Sequence, residues 1–230
     1  MTDSANRRDR QEWAANVGEL HVDDDRDAVG VQGRRVTSPI HGFGKMWQKT
    51  YRAALAGVDR TPQQVIEEWK RHYGDFWPEG NEFFGSSEGI APGQVGVISG
   101  KLPGGPKVKT GVLVLYADDE SWAFMTPEGH PFAGIITFSV EEGETGPVAQ
   151  IQLLIRAHDP LVEAAMPIMG HRQEDRLWQQ TLTNLATHFG VEDVELETKI
   201  VCVDKRRQWK RFGNLRRSRI GAAIAHPFRR

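Results

Sequence analysis

Residues 108–125 read VKTGVLVLYADDESWAFM and decide the fold. The segment from Val108 to Tyr116, which is apolar from Val112 onward, is followed by the acidic group Asp118-Asp119-Glu120, and a second apolar run begins at Trp122. A connection this short joins antiparallel neighbours, because parallel strands need a much longer crossover. The stretch therefore predicts two consecutive antiparallel strands of a larger sheet.

The same alternation of short apolar runs and turn residues continues on both sides of this pair. Turns are predicted at Pro103-Gly104-Gly105-Pro106, at Thr126-Pro127-Glu128-Gly129-His130-Pro131 and in the glycine-rich loop 142–146. The predicted strands are Val95–Ser99, Val108–Tyr116, Trp122–Met125, Ile135–Val140, Val148–Ala157 and, further on, Val194–Val203. Most of this region is therefore predicted to be an antiparallel meander.

A strand and a helix are predicted ahead of the meander. The alternating segment 47–55 indicates a strand, and the residues on one of its faces are Trp47, Lys49, Tyr51, Ala53 and Leu55. Thr61 and Pro62 suit the N-cap and first turn of a helix that ends at Gly74. Residues 76–84 are rich in aromatic side chains, and they are predicted to form an irregular loop over an apolar opening.

A long helix is predicted between Pro160 and Phe189, and Pro167 and Gly170 are expected to kink or divide it. One face of this helix consists of Ile168, His171, Asp175, Trp178, Leu182, Leu185 and Phe189. His171 and Asp175 lie one turn apart and are predicted to touch. Either the two side chains line a water-filled cavity, or they satisfy each other's hydrogen-bonding groups at the edge of the core. In a third interpretation, Asp175 is there only because an acid is favourable near a helix N-terminus.

The charge of the chain is unevenly distributed. Ten of its 29 lysines and arginines lie in residues 205–230, which contain no acid, so residues 1–204 hold 19 basic and 31 acidic residues. Residues 1–40 are predicted to be a disordered or loosely attached arm, and residues 205–230 a basic tail. The tail also contains Trp209 and Phe212, and it could dock on its own acidic body, bridge to a second subunit in a homo-oligomer, or bind nucleic acid or an anionic membrane.

Several classes of function lack support. The single cysteine, Cys202, excludes an internal disulfide and is expected to be a buried structural thiol. No apolar run approaches the ~20 residues of a membrane span, and no signal peptide is recognisable, so the cytoplasm is the expected compartment. Gly85-Ser86-Ser87-Glu88-Gly89 matches Gly-x-Ser-x-Gly without the helix that a nucleophile elbow requires, and is expected to be a flexible turn. No metal or nucleotide motif occurs, so no metal and no cofactor are predicted.

The order of strand, helix, antiparallel strands and long helix resembles the START-like helix-grip (SRPBCC) superfamily, which includes polyketide cyclases and the birch-pollen-allergen type of lipid binder. The corner of one branch of this superfamily, a bacterial and plant domain of unknown function, is Thr-x-x-Gly-His-Pro, and it is similar to Thr126-Pro127-Glu128-Gly129-His130-Pro131. The exit into the helix that carries Pro167 is also similar to this branch, and it reads Arg156-Ala157-His158-Asp159-Pro160. The resemblance covers about residues 45–190. It implies an α+β fold in which a curved antiparallel sheet wraps around a long C-terminal helix with an apolar cavity between them.

The resemblance implies that residues 41–204 form a helix-grip domain that binds a small hydrophobic molecule, such as a lipid, isoprenoid, polyketide or aromatic metabolite. The expected ligand contacts are Trp69, Trp122, Phe124, Phe138 and Trp178 as apolar wall or core, with His130 and His171 as polar anchors. His130 could instead be a turn histidine bonded to the backbone. One alternative is a cyclase or hydratase in which His130, or His171 with its proton affinity raised by Asp175, is the general acid–base. Another is a polyanion-binding protein that acts through residues 205–230.

Overall fold

The computed structural model describes residues 36–86, 89–101, 107–166 and 171–218. Its strands are β1 (Val36–Thr37), β2 (Met46–Ala54), β3 (Glu82–Phe84), β4 (Val95–Lys101), β5 (Lys107–Ala117), β6 (Ser121–Pro127), β7 (Phe132–Glu141), β8 (Val148–Ala157) and β9 (Leu196–Asp204). Its α-helices are α1 (Pro62–Arg71), α2 (Pro160–Ala165) and α3 (His171–His188). Short 3-10 helices span Pro39–His41, Tyr73–Phe76 and Trp209–Arg217.

All strand pairs in the described part of the chain are antiparallel. The strand order is β3-β4-β5-β6-β7-β8-β2-β9, and β1 pairs with β6. The predicted meander is confirmed, and β8 has the predicted bounds. The β2–β3 connection, which contains α1, crosses from one side of the sheet to its far edge. The β8–β9 connection passes over β2, and it contains α3, which packs against β2 and β8. The α+β class and the packing of a large sheet against a long helix are therefore confirmed.

Helix α1 begins where its sequence predicts. Thr61 Oγ1 accepts from the backbone N–H of Gln64 over 3.3 Å, and the Gln64 side chain accepts from Thr61 N–H over 3.0 Å. This capping box satisfies two N–H groups that a helix start otherwise leaves without partners. The helix ends at Arg71, and Gly74 lies inside the following 3-10 turn instead of ending the helix, because the buried Tyr73 and Phe76 hold this turn against the core.

Within the predicted long helix the structure describes two helices, α2 and α3, one on either side of residues 167–170. Asp159 caps α2, since its Oδ1 accepts from Leu161 N and Val162 N, each over 2.9 Å. Pro167, Ile168 and Gly170 lie outside the described residues. The buried residues of α3 are Trp178, Thr181, Leu182, Leu185 and Ala186, which recur at helical spacing and face the sheet.

Two short strands lie where the sequence predicts none. β1 pairs Thr37 with Thr126, so the chain joins the sheet within the predicted N-terminal arm, whose residues 1–35 lie outside the described part. β3 lies in the predicted irregular loop and pairs with β4. Each strand has only two or three residues, too few to show a periodic pattern, and its partner across the sheet supplies the hydrogen bonds that define it.

Cys202 lies in β9 and is partly exposed, so the prediction of a buried thiol is wrong. The reason is topological: β9 is at the edge of the sheet, where a strand has a neighbour on one side only. The predicted turn 103–106 lies outside the described residues, as do Ser87 and Glu88. Ser86 and Gly89 form an isolated antiparallel bridge across that gap.

Candidate functional site

A fully buried lysine lies between the sheet and α3. Lys49, in the middle of β2, has no exposed surface, and its Nζ lies 2.7 Å from Glu174 Oε2 and 2.8 Å from Asp175 Oδ1. The two acids lie in the first turns of α3, and their side chains are 11% and 19% exposed. Dehydration of an ammonium costs several kcal/mol, which well-placed carboxylates offset. The three side chains form an ionic cluster that is closed at the sheet and partly open beside the helix.

Tyr51 adds a hydrogen-bond donor to the ionic cluster. Its hydroxyl donates to Asp175 Oδ1 over 2.6 Å, so this oxygen accepts from both Lys49 and Tyr51. Burial raises the pKa of Tyr51 far above its ordinary value, and the charge of Glu174 raises it further. Burial also raises the pKa of Glu174, while Lys49 lowers it. The phenol therefore remains a donor at physiological pH.

His171 borders the ionic cluster without the predicted contact. Its ring packs edge-on against Trp47 at a centroid distance of 4.7 Å, and among the described residues no hydrogen bond joins it to Asp175. Burial and the charge of Lys49 lower the pKa of His171, and together they outweigh the opposite effect of Asp175. Asp175 therefore raises the proton affinity of His171 as predicted, but burial and Lys49 have the larger effect, and the net pKa is lowered.

The five aromatic residues predicted as apolar wall or core lie together. Phe138 is at their centre, stacked on Trp122 at a centroid distance of 4.7 Å. Trp69, Phe124 and Trp178 contact the same ring edge-on at 5.6, 5.4 and 5.9 Å. All five are buried, and such ring pairs each add about 0.5–1.5 kcal/mol beyond the burial of area. Their contact with a ligand remains a prediction.

The aromatic cluster and the ionic cluster meet on one face of α3. Trp178 belongs to the first, and it follows Glu174 and Asp175 by about one helical turn. Trp178 Nε1 and His171 Nδ1, two turns apart on this face, are buried atoms without a hydrogen-bond partner in the described part of the chain. Buried polar atoms are usually paired. The Nε1 atoms of Trp69, Trp77 and Trp122 are also buried without a partner among the described residues, so such atoms lie both on this face and elsewhere in the aromatic core.

His130 lies at the corner between β6 and β7. Its Nδ1 is 3.0 Å from the backbone nitrogen and 2.9 Å from the backbone oxygen of Phe132, and His158 Nδ1 contacts the His130 carbonyl at 2.9 Å. Burial lowers the pKa of His130 to about 4, so the imidazole is neutral at pH 7. This geometry agrees with a turn histidine. Among the described residues, no hydrogen bond or ion pair joins His130 to the ionic cluster, and its role as an anchor remains a prediction.

Lys49, Tyr51 and Glu174 are site residues that no sequence motif singles out. A signal does exist in β2, because Lys49 is a charge on a strand face that is otherwise apolar or aromatic. A lysine in that position is almost never fully buried unless it is paired. This pattern predicts a buried partner for Lys49, but it does not indicate that the partner lies on α3.

The basic tail docks on the body of the protein as far as the structure describes it. Arg207 Nε lies 3.0 Å from Glu163 Oε1, and Gln208 N donates to Phe43 O over 2.8 Å. The ring of Trp209 meets that of Phe43 edge-on at 4.7 Å. Residues 205–218 therefore dock on the body of the same chain, which is one of the alternatives predicted for the tail. Residues 219–230 lie outside the described part.

A groove lies between α1 and the end of α3. This polar groove has a volume of about 360 Å³ and is lined by Arg60, Gln64, Glu67, Glu68, Arg71, His188 and Phe189. Glu68 is already paired with Arg71 and His188 at 2.9 and 3.1 Å. Among the described residues, no group of three His, Cys, Asp or Glu side chains is placed to hold a metal ion. None of the helices described is long and apolar enough to cross a membrane.

No protein-family model matches this sequence, and no curated protein matches it either. The solved structures provide matches. The solution structure of the KanY protein aligns with a TM-score of 0.50 and 10% identity over 64% of this chain and 99% of KanY. Ara h 8.0201 aligns with a TM-score of 0.47 and 10% identity, over 63% and 97% of the two chains. The di-domain ARO/CYC protein StfQ from the steffimycin biosynthetic pathway aligns at 0.46 and 13%, over 63% and 50%.

These structural neighbours are helix-grip proteins of the SRPBCC class. At 10% identity, the match to KanY shows the fold and no more. The chain therefore has the helix-grip fold, in which α3 packs against an antiparallel sheet, and the ionic cluster lies at that contact.

Proposed function

We propose that the protein binds a small hydrophobic molecule between the sheet and α3, with the polar group of the ligand directed at the face that carries His171 and Trp178. The helix-grip class supports a lipid, isoprenoid, polyketide or aromatic metabolite as the ligand. The observation that carries the proposal is the junction of the two clusters. An apolar molecule packs on aromatic rings, and the adjoining polar atoms orient it.

His171 is the anchor that this proposal favours over His130. The Nδ1 of His130 is held by the backbone of its own turn, whereas His171 Nδ1 has no partner among the described residues. Trp178 Nε1–H is a donor only, so the matching group on the ligand is an acceptor such as a carbonyl or hydroxyl oxygen. His171 Nδ1 takes either role according to its tautomer.

Native mass spectrometry of protein purified gently from its host, followed by extraction, tests the proposal. We expect a stoichiometric hydrophobic molecule in the wild type and weaker retention in Trp178→Phe, which keeps a ring against Phe138 but removes the N–H. His171→Ala should weaken retention, and His130→Ala should do so less. Trp209→Phe is the matched control, because Trp209 is 61% exposed. A clean apo mass would contradict tight binding.

A cyclase or hydratase is the second candidate, and one observation favours it. Burial raises the pKa of Glu174 and lowers that of His171, so it favours an uncharged acid, which can donate a proton, and an uncharged imidazole, which can accept one, in the same place. Incubation of the extracted molecule with fresh protein would then yield a product. Glu174→Gln should abolish that conversion while the molecule still binds, and an unchanged rate in this variant would exclude Glu174 as the acid.

Polyanion binding through residues 205–230 has less support. Arg206 and Arg207 are paired with Asp204 and Glu163, so part of the positive charge is already used within the molecule. A salt-sensitive interaction with nucleic acid, lost on deletion of residues 219–230, would favour this third function.

We also infer that the chain belongs to the branch with the Thr-x-x-Gly-His-Pro corner, because residues of this motif have structural tasks here. Thr126 Oγ1 accepts from Gly134 N over 3.0 Å and contacts Thr37 Oγ1 at 3.2 Å. Gly129 has a φ of +85°, a backbone conformation that residues with a side chain rarely adopt. His130 closes the corner onto the backbone of Phe132.

A further inference from the structure

Strand β9 forms one edge of the sheet in the described part of the chain. It has nine residues, stands last in the strand order, and among the described residues pairs with β2 alone. Apolar side chains are exposed on both of its faces: Leu196 at 36%, Ile200 at 41%, Val201 at 40% and Val203 at 43%. An exposed apolar edge strand of this length is a template for pairing with another strand.

The backbone groups available at this edge follow from the pairing with β2. Ala54 N donates to Glu195 O, so Ala54 and Glu195 are a hydrogen-bonded pair. Such pairs alternate with non-bonded pairs along an antiparallel ladder. The register is regular from Ala53 to Trp47, and the N–H and C=O groups of Leu196, Thr198, Ile200 and Cys202 therefore point away from β2.

The charges of β9 favour one register for pairing with a second copy. In a two-fold antiparallel pair centred on Thr198, Glu197 of each copy faces Lys199 of the other, and Leu196 faces Ile200. A pair centred on Glu197 or on Lys199 places two like charges directly opposite each other, which is destabilising. In a pair centred on Ile200, Glu197 faces Val203 and Lys199 faces Val201, so neither charge has a partner. The Glu197 register also places Glu195 opposite Lys199 twice, but it opposes the two Glu197 side chains. Among these four, only the Thr198 register joins opposite charges twice without placing like charges opposite each other.

We propose that the protein forms a two-fold symmetric dimer in which two β9 strands pair antiparallel about Thr198 and join the sheets of both copies into one. This arrangement is isologous, as expected of most homodimers. Helix α3 leaves space for it, because α3 packs on β2 and β8 and reaches β9 through the Gln179 side chain, whose Nε2 donates to Thr198 Oγ1 over 2.9 Å. The proposal is independent of the proposed ligand.

A charge exchange across the two-fold axis tests this dimer. Sedimentation velocity of the full chain over a wide range of concentration should show a dimer for the wild type. Lys199→Glu should weaken the dimer about tenfold or more, since it places acids opposite Glu197 in both contacts. The double variant Glu197→Lys with Lys199→Glu should restore the dimer. Lys109→Glu, an exposed change in the interior strand β5, is the matched control and should have no effect.

Hydrogen exchange supplies the second readout. The amides of Thr198 and Ile200 should exchange slowly in the wild type and faster in Lys199→Glu. A wild type that is monomeric at every concentration overturns the proposal, as does a dimer that Lys199→Glu leaves intact. Slow exchange of these amides in a monomer also overturns it, because the edge is then covered by the protein's own terminal residues.

Discussion

At the scale of single residues, Lys49 depends most on its neighbours, because its buried charge needs partners. Its ammonium is cut off from water, and three side chains compensate: Glu174 and Asp175 by charge, and Tyr51 by holding Asp175 in place. Breaking a buried ion pair by removing one partner typically costs about 3–5 kcal/mol, because the other charge stays buried without compensation. The cluster therefore ties α3 to β2, and each member depends on the others.

Lys49→Met is expected to lower the free energy of unfolding by about 3–5 kcal/mol at pH 7, measured by urea denaturation. The loss should shrink on acidification, because burial raises the pKa of Glu174 and its protonation removes a negative charge that Lys49→Met leaves without a partner. Lys109→Met is the control, since this exposed lysine should contribute within about 0.5 kcal/mol. Equal losses for Lys49→Met at acid and neutral pH would contradict the ion-pair explanation.

His130 makes stability depend on pH. Burial lowers its pKa from 6.5 to about 4, so between these values the unfolded chain binds a proton that the folded chain does not. Stability due to this group is therefore present above pH 6.5 and is lost as the pH falls toward 4, by up to roughly 3 kcal/mol. His130→Asn keeps an acceptor for the Phe132 amide, and the variant should lose less stability on acidification. Parallel pH profiles of wild type and variant would disprove this.

At the scale of elements, local capping decides where the helices begin. Thr61 and Asp159 both precede a proline at the first helical position, and both accept hydrogen bonds from the first turn. These arrangements depend on residues a few positions apart, which explains why the helix starts follow from sequence. Strands β1 and β3 behave differently, because each is too short to show a periodic pattern and is defined by its partner strand, β6 for β1 and β4 for β3.

Asp159→Ala should destabilise the protein by about 0.5–2 kcal/mol, as is typical when an N-cap is lost. The two N–H groups of Leu161 and Val162 then lose their acceptor at a position that is nearly fully buried. Asp159→Asn retains an acceptor oxygen and should have a smaller effect in the same thermal or urea unfolding measurement. Similar losses for both variants would show that the charge of Asp159 matters more than its cap.

At the scale of the whole molecule, Arg156 joins segments that are far apart in sequence. Its guanidinium donates to the Gly44 carbonyl at 2.6 Å, the Arg206 carbonyl at 3.0 Å and Asp204 at 2.5 Å. These contacts connect β8, the segment before β2, the end of β9 and the start of the tail. Hydrogen bonds from Arg206 and Arg156 hold the pKa of Asp204 below its ordinary value.

Arg156→Met should release the tail and the end of β9. We expect a loss of roughly 3 kcal/mol, because buried acceptors lose a charged donor, and faster trypsin cleavage at Lys205, Arg206 and Arg207. Arg71→Met is the matched control, since Arg71 is 56% exposed and its ion pairs lie on the surface of α1. If tail cleavage in Arg156→Met were as slow as in the control, other contacts would hold the tail.

The sequence alone determined the meander, the two capped helix starts and the α+β class, because strand periodicity, turn residues and caps act over a few positions. It also determined five aromatic side chains that pack together and drew attention to His171 and Asp175. The tertiary structure alone decided that Asp175 binds Lys49, 126 positions away, instead of its neighbour His171. The same holds for β1, β3 and the docking of residues 205–210. Each of these contacts depends on which distant segments the folded sheet brings within hydrogen-bonding distance, and no local pattern encodes that distance.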